Sequence, residues 1–496
     1  IQHDIYYIEN WSIWLDLQIL LLTFARWRDP GSADGTTLSV LPLLGGALLV
    51  FATRAWLIRS SGSPLPFWDQ WDFEALSLYL PWLRGDFDWH ELFRPHNEHR
   101  IALTRLLDLL LLETRGVWDL WIQQLLNAFL HAATAVAVAR PLLLPLAPRP
   151  RAALLVAIAL LFAFPAGWQN ALWGSQSQAA LCNLLSVVAI VGAATAAPFT
   201  LRWSIGAVAS FLVLFSNGGG VLGSFVALGI ALARTPRGDR RHLAGLVLLG
   251  ALVALGILLR VDAPHHDSLH AATFEQFLTL ASRCLSWPFI DRGWLCLIFQ
   301  APLVILVCRR LRRREPLDDA DRCAVAFGAL ALLHAFAIAY SRGAGLWSVG
   351  PLSRYQDSFL PGFAAQIYAL FRLAVGADRP VRLLALGWSA LAAAGLIALT
   401  EINLTHHLPR KRLLDHVGIE AVRTYLATGH RAVLFNELAA GALHPSHPES
   451  VRRSLDEPLL RSILPPDLLA PPDSPLQPRP WLIEHGPLLT AAGVTS

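Results

Sequence analysis

Hydrophobic runs dominate the chain, at lengths suited to crossing a bilayer. A crossing helix needs about 20 mostly apolar residues. Runs of this kind, some of them short, fall at 38–58, 117–139, 152–167, 177–197, 201–216, 219–234, 242–260, 293–308, 322–340, 356–375 and 382–400. They predict an all-α polytopic membrane protein with about eleven transmembrane helices. The stretch 101–114 is also apolar but short. It reads either as one more crossing or as a helix lying on the membrane surface.

The arginines decide between these two. With 101–114 on the surface, Arg140, Arg149 and Arg151 share one side with Arg234, Arg237, Arg240 and Arg241. The run Arg309–Arg310 with Arg312, Arg313 and Arg314 joins them, as do Arg372, Arg379 and Arg382. Basic loops face the cytoplasm, so the N-terminus is expected inside and the C-terminus outside. The other face then holds 59–116, 168–176, 217–218, 261–292, 341–355 and 401–496, which carry most of the Trp, His, Asn, Gln and Asp. Chemistry is expected there.

Composition agrees. Of 496 residues, 54% are hydrophobic and 15% charged, against about 25% charged in soluble domains. Disorder, collagen, coiled coil and a disulfide scaffold are excluded. The net charge of +4 comes from short arginine loops, so no nucleic-acid partner is expected. Cys182, Cys284, Cys296, Cys308 and Cys323 form no C-x-x-C pair and read as small apolar residues. With no methionine and Ile1 in first place, the chain is not expected to begin at a natural start.

Three regions follow: an N-terminal segment 1–30, a transmembrane domain 37–400 with a first external loop 59–116, and an external C-terminal region 401–496. That last region is Pro-rich from Pro445 to Pro480, with helical stretches near 411–440 and 449–463. Residues 3–23 resemble the C-terminal tail of bacterial polyisoprenyl-phosphate hexose-1-phosphate transferases through Asp4, Tyr6, Asn10, Trp11, Ser12, Asp16, Ile19 and Thr23. The resemblance implies a fusion with, or read-through from, a polysaccharide locus. An amphipathic interfacial helix is the plainer reading.

The first external loop is the richest segment. Pro66-Phe67-Trp68-Asp69-Gln70-Trp71-Asp72 sets two carboxylates among indoles, which suit both the interface and sugar stacking. A short amphipathic helix is expected over 73–83. In Pro95-His96-Asn97-Glu98-His99-Arg100, Asn97 is expected to cap the following helix. The free N–H groups of its first turn, beside His99 and Arg100, would bind an anion. Arg105 and Asp108, spaced i, i+3, are expected to pair.

One long external loop with an early acid, after the first crossing and before a surface helix and further crossings, resembles the GT-C class of integral membrane glycosyltransferases over about 60–400. The resemblance implies that a loop Asp, Asp69 first and Asp72 second, is the general base and that the donor is a polyprenyl-phosphate sugar. Many members carry adjacent acids. Here Gln70 and Trp71 intervene, so a divalent metal stays an open cofactor and no metal ligand is assigned.

Further candidates lie on the same face. Arg354 in Ser353-Arg354-Tyr355 is an arginine against the positive-inside bias, which suits a donor phosphate or lipid headgroups. Asn97, His99 and Arg100 complete the expected phosphate site. Trp68, Trp71, His96, Trp173, Gln176 and Tyr355 are the expected sugar or acceptor contacts. The aromatic and amide segment 167–176 also reads as an interfacial belt. Ser216-Asn217-Gly218-Gly219-Gly220 reads as a tight turn. His265-His266-Asp267 with His270 has metal-like composition but reads as a mobile polar loop. Gln124, Asn127 and His131 read as polar glue within a span.

The function expected is transfer of a sugar to a glycan, lipid or protein acceptor outside a bacterial inner membrane. The alternatives are a polysaccharide polymerase or ligase relying on basic residues, and a transporter or flippase of lipid-linked glycan.

Overall fold

The computed structural model describes residues 40–235, 239–375 and 377–474. The segment 3–23, Arg237 and the end of the Pro-rich tail lie outside them.

The regular elements among the described residues are all helices, and the single β contact among them is an isolated bridge between His96 and His99. Each predicted span coincides with a helix. Eight stretches among the described residues are long and apolar enough to cross a membrane: Val40–Ser61 (α1), Leu120–Leu143 (α3), Pro148–Leu172, Gly174–Thr195, Arg240–Leu258, Gly293–Arg312, Asp319–Leu346 and Arg379–Thr428. Leu201–Phe215 and Gly220–Arg234 are shorter apolar helices, and Leu360–Ala374 fills the remaining expected position. Leu201, Ile205 and Val208 are more than half exposed along one face. Such an apolar outer surface is stable in lipid and costly in water.

The stretch Ala102–Arg115 (α2) is one amphipathic helix. Fourteen residues at 1.5 Å each reach about 21 Å, short of a core about 30 Å thick. Leu106 and Leu110 face outward, while Thr104, Arg105, Asp108 and Leu109 face the protein. Two expectations fail here. Asn97 is not the N-cap. It sits at φ 50° in a tight turn closed by the His96 and His99 backbone groups, and α2 starts five residues later, after Ile101. Asn tolerates the left-handed region that such a turn needs, and this competed with its capping preference. Arg105 does not pair directly with Asp108. Its guanidinium donates to the carbonyls of Glu91, Leu92 and Arg94 and so holds the preceding loop.

The polar segments meet at one end of the bundle. His99 meets Gly218, His266 and Arg342 meet Glu98, Asn170 meets the 354–357 turn, and Asn403 meets Pro165. At the other end, Arg234 and Arg322 bind the carbonyls of residues 193–196, and Arg310 and Arg372 pair with Asp321 and Asp318.

The C-terminal region is built into the polar end. Helix Arg379–Thr428 runs on from the bundle without a break, 50 residues in all. The first loop and the C-terminal region share one apolar core, in which Trp71, Leu78, Tyr79 and Trp118 pack with Val422, Leu443, Val451, Leu455 and Leu468. The helix expected over 73–83 begins at Trp71 with wide π turns to Tyr79 and continues as Leu80–Arg84.

Candidate functional site

Asp69 and Asp72 stand one turn apart where the first loop enters its helix, with the Asp72 N–H donating to the Asp69 carbonyl at 3.0 Å. Each carboxylate is about one-third exposed. Asp69 Oδ2 lies 3.5 Å from His96 Nε2, and Asp69 Oδ1 lies 3.8 Å from His444 Nε2. Asp72 Oδ2 lies 2.7 Å from the same His444 nitrogen. Burial pushes the Asp69 pKa up. Its neighbours His96, foremost, then His444 and Arg354 outweigh it and hold the carboxyl below its usual value of 3.8. Asp69 is therefore ionised at neutral pH, the form a general base requires.

Arg354 is the expected cation that the fold leaves unengaged. Its charge reaches Asp69, and its guanidinium lies 5.2 Å over the Tyr355 ring. The side chain makes no hydrogen bond or ion pair with any described residue. Its backbone is fixed firmly. Gln169 Oε1 accepts from the Arg354 N–H at 3.1 Å, and Asn170 Nδ2 donates to its carbonyl at 3.0 Å. Ser353 Oγ bonds the Ala166 carbonyl and the Gln169 N–H. The segments 166–170 and 353–357 thus interlock, and Arg354 is carried on the joint.

The other expected phosphate ligands are already engaged. Arg100 donates to the carbonyls of Phe93 and Leu259. His99 Nδ1 accepts from the Gly218 N–H. Asn97 faces His96 and His265. These side chains hold the loop together rather than present a free anion site. Glu98, which the sequence reading passed over, organises them. It binds Arg342 and His266 and lies beside His99. Burial opposes its ionisation, but the charges of His99, Arg342 and His266 bring its pKa down to about 2. His266 and His265 therefore tie their loop to residues 97 and 98.

Of the expected sugar contacts, His96 remains beside Asp69, its ring against Phe73 at 4.6 Å. Trp68 is half-buried, stacked on Phe67 at 4.7 Å and edge-on to Trp173 at 6.0 Å. Trp71 is fully buried against Trp118, so it is core and not a stacking surface. Trp173 and Gln176 are likewise buried, 7% and 5% exposed, beneath the Phe67–Trp68 pair and in the bundle. The Tyr355 ring lies under the Arg354 guanidinium. Gln124, Asn127 and His131 bond Ser63, the 170–174 carbonyls and Phe162 respectively.

Two features had no local signal. His444 comes from a part of the chain far from Asp69 in sequence. Glu74 and Asp108 form a buried carboxylate pair bridged by Gln123 Nε2, at 3.0 and 2.9 Å. Burial raises the pKa of both, and the Glu74 charge adds to the rise at Asp108. No group of three or more His, Cys, Asp or Glu among the described residues is arranged to hold a metal ion. Models of known protein families give no match to the chain, and no curated protein matches it either.

Proposed function

We propose that this membrane protein is a glycosyltransferase of GT-C type that acts on the outer face of a bacterial inner membrane. It moves a sugar from a polyprenyl-phosphate donor to a glycan, lipid or protein acceptor. One observation carries the reading: an ionised Asp69 shares the loop-bearing end of the bundle with the unengaged guanidinium of Arg354.

The chemistry follows from that pair. The acceptor oxygen attacks the anomeric carbon, and its proton passes to the Asp69 carboxylate. The bond from that carbon to the phosphate oxygen breaks, and polyprenyl phosphate leaves with the bonding electrons. Arg354 stabilises the charge that gathers on the phosphate. Asp72 is the second acid, next to the first. The apolar helix surfaces offer the isoprenoid tail a medium like the bilayer itself.

The test is transfer or hydrolysis of a polyprenyl-phosphate hexose by the purified chain in liposomes. Asp69→Asn should lower turnover by about 10²–10⁴-fold, the usual worth of a general base, while the protein still inserts. Arg354→Gln should weaken donor use. Full activity in Asp69→Asn, in Asp72→Asn and in the double variant rejects the reading.

A further inference from the structure

His444 follows the short helix Glu437–Leu443 in the C-terminal region. Its side chain is 5% exposed. The His447 N–H donates to Nδ1 at 3.1 Å, so the neutral ring carries its proton on Nε2. That nitrogen points between the two acids, 2.7 Å from Asp72 Oδ2 and 3.8 Å from Asp69 Oδ1. It is buried and aligned in a hydrogen bond with neither. A buried N–H between two carboxylates, held from behind through its other nitrogen, is arranged to act on them.

The backbone keeps that aim. The Trp68 N–H donates to the Leu443 carbonyl at 3.0 Å, and Trp68 Nε1 donates to the Gly441 carbonyl at 3.2 Å. Ser454 Oγ donates to the Trp71 carbonyl at 3.2 Å. Trp68 itself is held at φ 49°, a conformation an L-residue keeps only when its surroundings enforce it. Residues 68–71 and 441–454 are therefore clamped on either side of the acids.

We infer that His444 is a positioning residue of this site: from the C-terminal region, its Nε2–H is poised against the Asp72 carboxylate at 2.7 Å and faces the Asp69 carboxylate at 3.8 Å, and so biases how the two acids are oriented. The C-terminal region is thus a working part of the site. As a role in sugar transfer this rests on the reading of Asp69 above. As a statement about the carboxylates it stands alone.

The test compares His444→Gln, which keeps an N–H at the ε position, with His444→Asn, whose shorter side chain cannot reach. Carbodiimide coupling to a small amine, which requires a protonated carboxyl, is followed by peptide mass spectrometry on the full chain in nanodiscs. The groups facing the site are Asp69, Asp72, His96, Arg354, His444 and His447. The pH midpoint for labelling Asp69 should rise by about half a unit or more in the Asn variant, because the His444 nitrogen 3.8 Å from Asp69 Oδ1, which favours the ionised carboxylate, is withdrawn. It should stay near wild type in the Gln variant. Where transfer is measurable, the Asn variant should lose about tenfold in kcat with little change in donor KM, and Gln should restore it. Equal midpoints in the two variants overturn the inference. Because labelling needs no turnover, a chain that transfers no sugar still reports on His444, so the two ideas fail separately.

Discussion

Arg54 and Asp357 form an ion pair at 2.9 Å with their side chains 2% and 5% exposed. Arg54 also donates to the Gly167 carbonyl and meets His131, while Asn170 supports the other carboxylate oxygen. A pair so deep is tolerated because both charges are met, and removing one leaves the other stranded. Asp357→Asn or Arg54→Leu is expected to destabilise the protein by about 3–5 kcal/mol, and replacing both with apolar residues by less than either alone. Thermal unfolding in detergent of the two singles and the double checks this.

The same pair fixes how Arg354 is presented. A Cβ on Gly167 would lie 2.2 Å from the Asp357 carboxylate, so Gly167→Ala must push the 353–357 turn away from the 166–170 turn. The expected result is a raised KM for a polyprenyl-phosphate donor with a smaller change in kcat, because Arg354 moves while Asp69 stays. An unchanged donor KM, measured with the variant fully inserted, would separate Arg354 from donor binding.

The turn at Glu98 and His99 makes the loop-bearing end acid-sensitive. Burial lowers the His99 pKa from 6.5 to about 4. The unfolded chain takes up that proton first, so this stability is complete above pH 6.5 and is lost as pH falls towards 4. Glu98 adds a second loss between 4.5 and about 2. Gly218 matters to the same turn, since a Cβ there would lie 2.8 Å from His99 Nδ1. His99→Gln, which cannot be protonated, should flatten the first loss, on the order of 2 kcal/mol. Melting curves from pH 7 to pH 4 give the comparison.

Glu74 and Asp108 work in the opposite sense. Burial raises both pKa values, and the Glu74 charge adds to the rise at Asp108, so the folded chain holds a proton that the unfolded chain has released. Their contribution is therefore favourable below the ordinary carboxylate range and is lost as pH rises above 4.5. Asp108→Asn keeps an acceptor for Gln123 and removes one buried charge. It should raise the melting temperature more at pH 8 than at pH 5. An equal change at both pH values would mean that the pair carries no shared proton.

The apolar helices were legible because lipid leaves no choice: long apolar stretches must be helices with their backbone groups bonded internally. The grouping of loops by arginine was equally legible, and His99–Gly218 and Arg342–Glu98 show the polar segments converging. The site was only partly legible. Asp69 and His96 do lie side by side, and the charge of Arg354 reaches Asp69. Arg100 and His99 read as anion ligands because the sequence does not show that carbonyls and a glycine N–H claim them. Trp71 read as a stacking surface because nothing local distinguishes an interfacial indole from a buried one. The contact of His444 with Asp72 joins segments far apart in the chain, where composition and periodicity carry no information.

The unbroken helix from Arg379 to Thr428 would be about 75 Å long at 1.5 Å per residue. Its lower half stands among apolar helices, and its upper half packs beside the short helices that carry His444. The passage between the halves is marked by wide π turns over Asn403–His407, the kind of irregularity at which long helices bend. A tilt imposed on the lower half by a thinner or thicker bilayer is therefore taken up at this point before it reaches the short helices above.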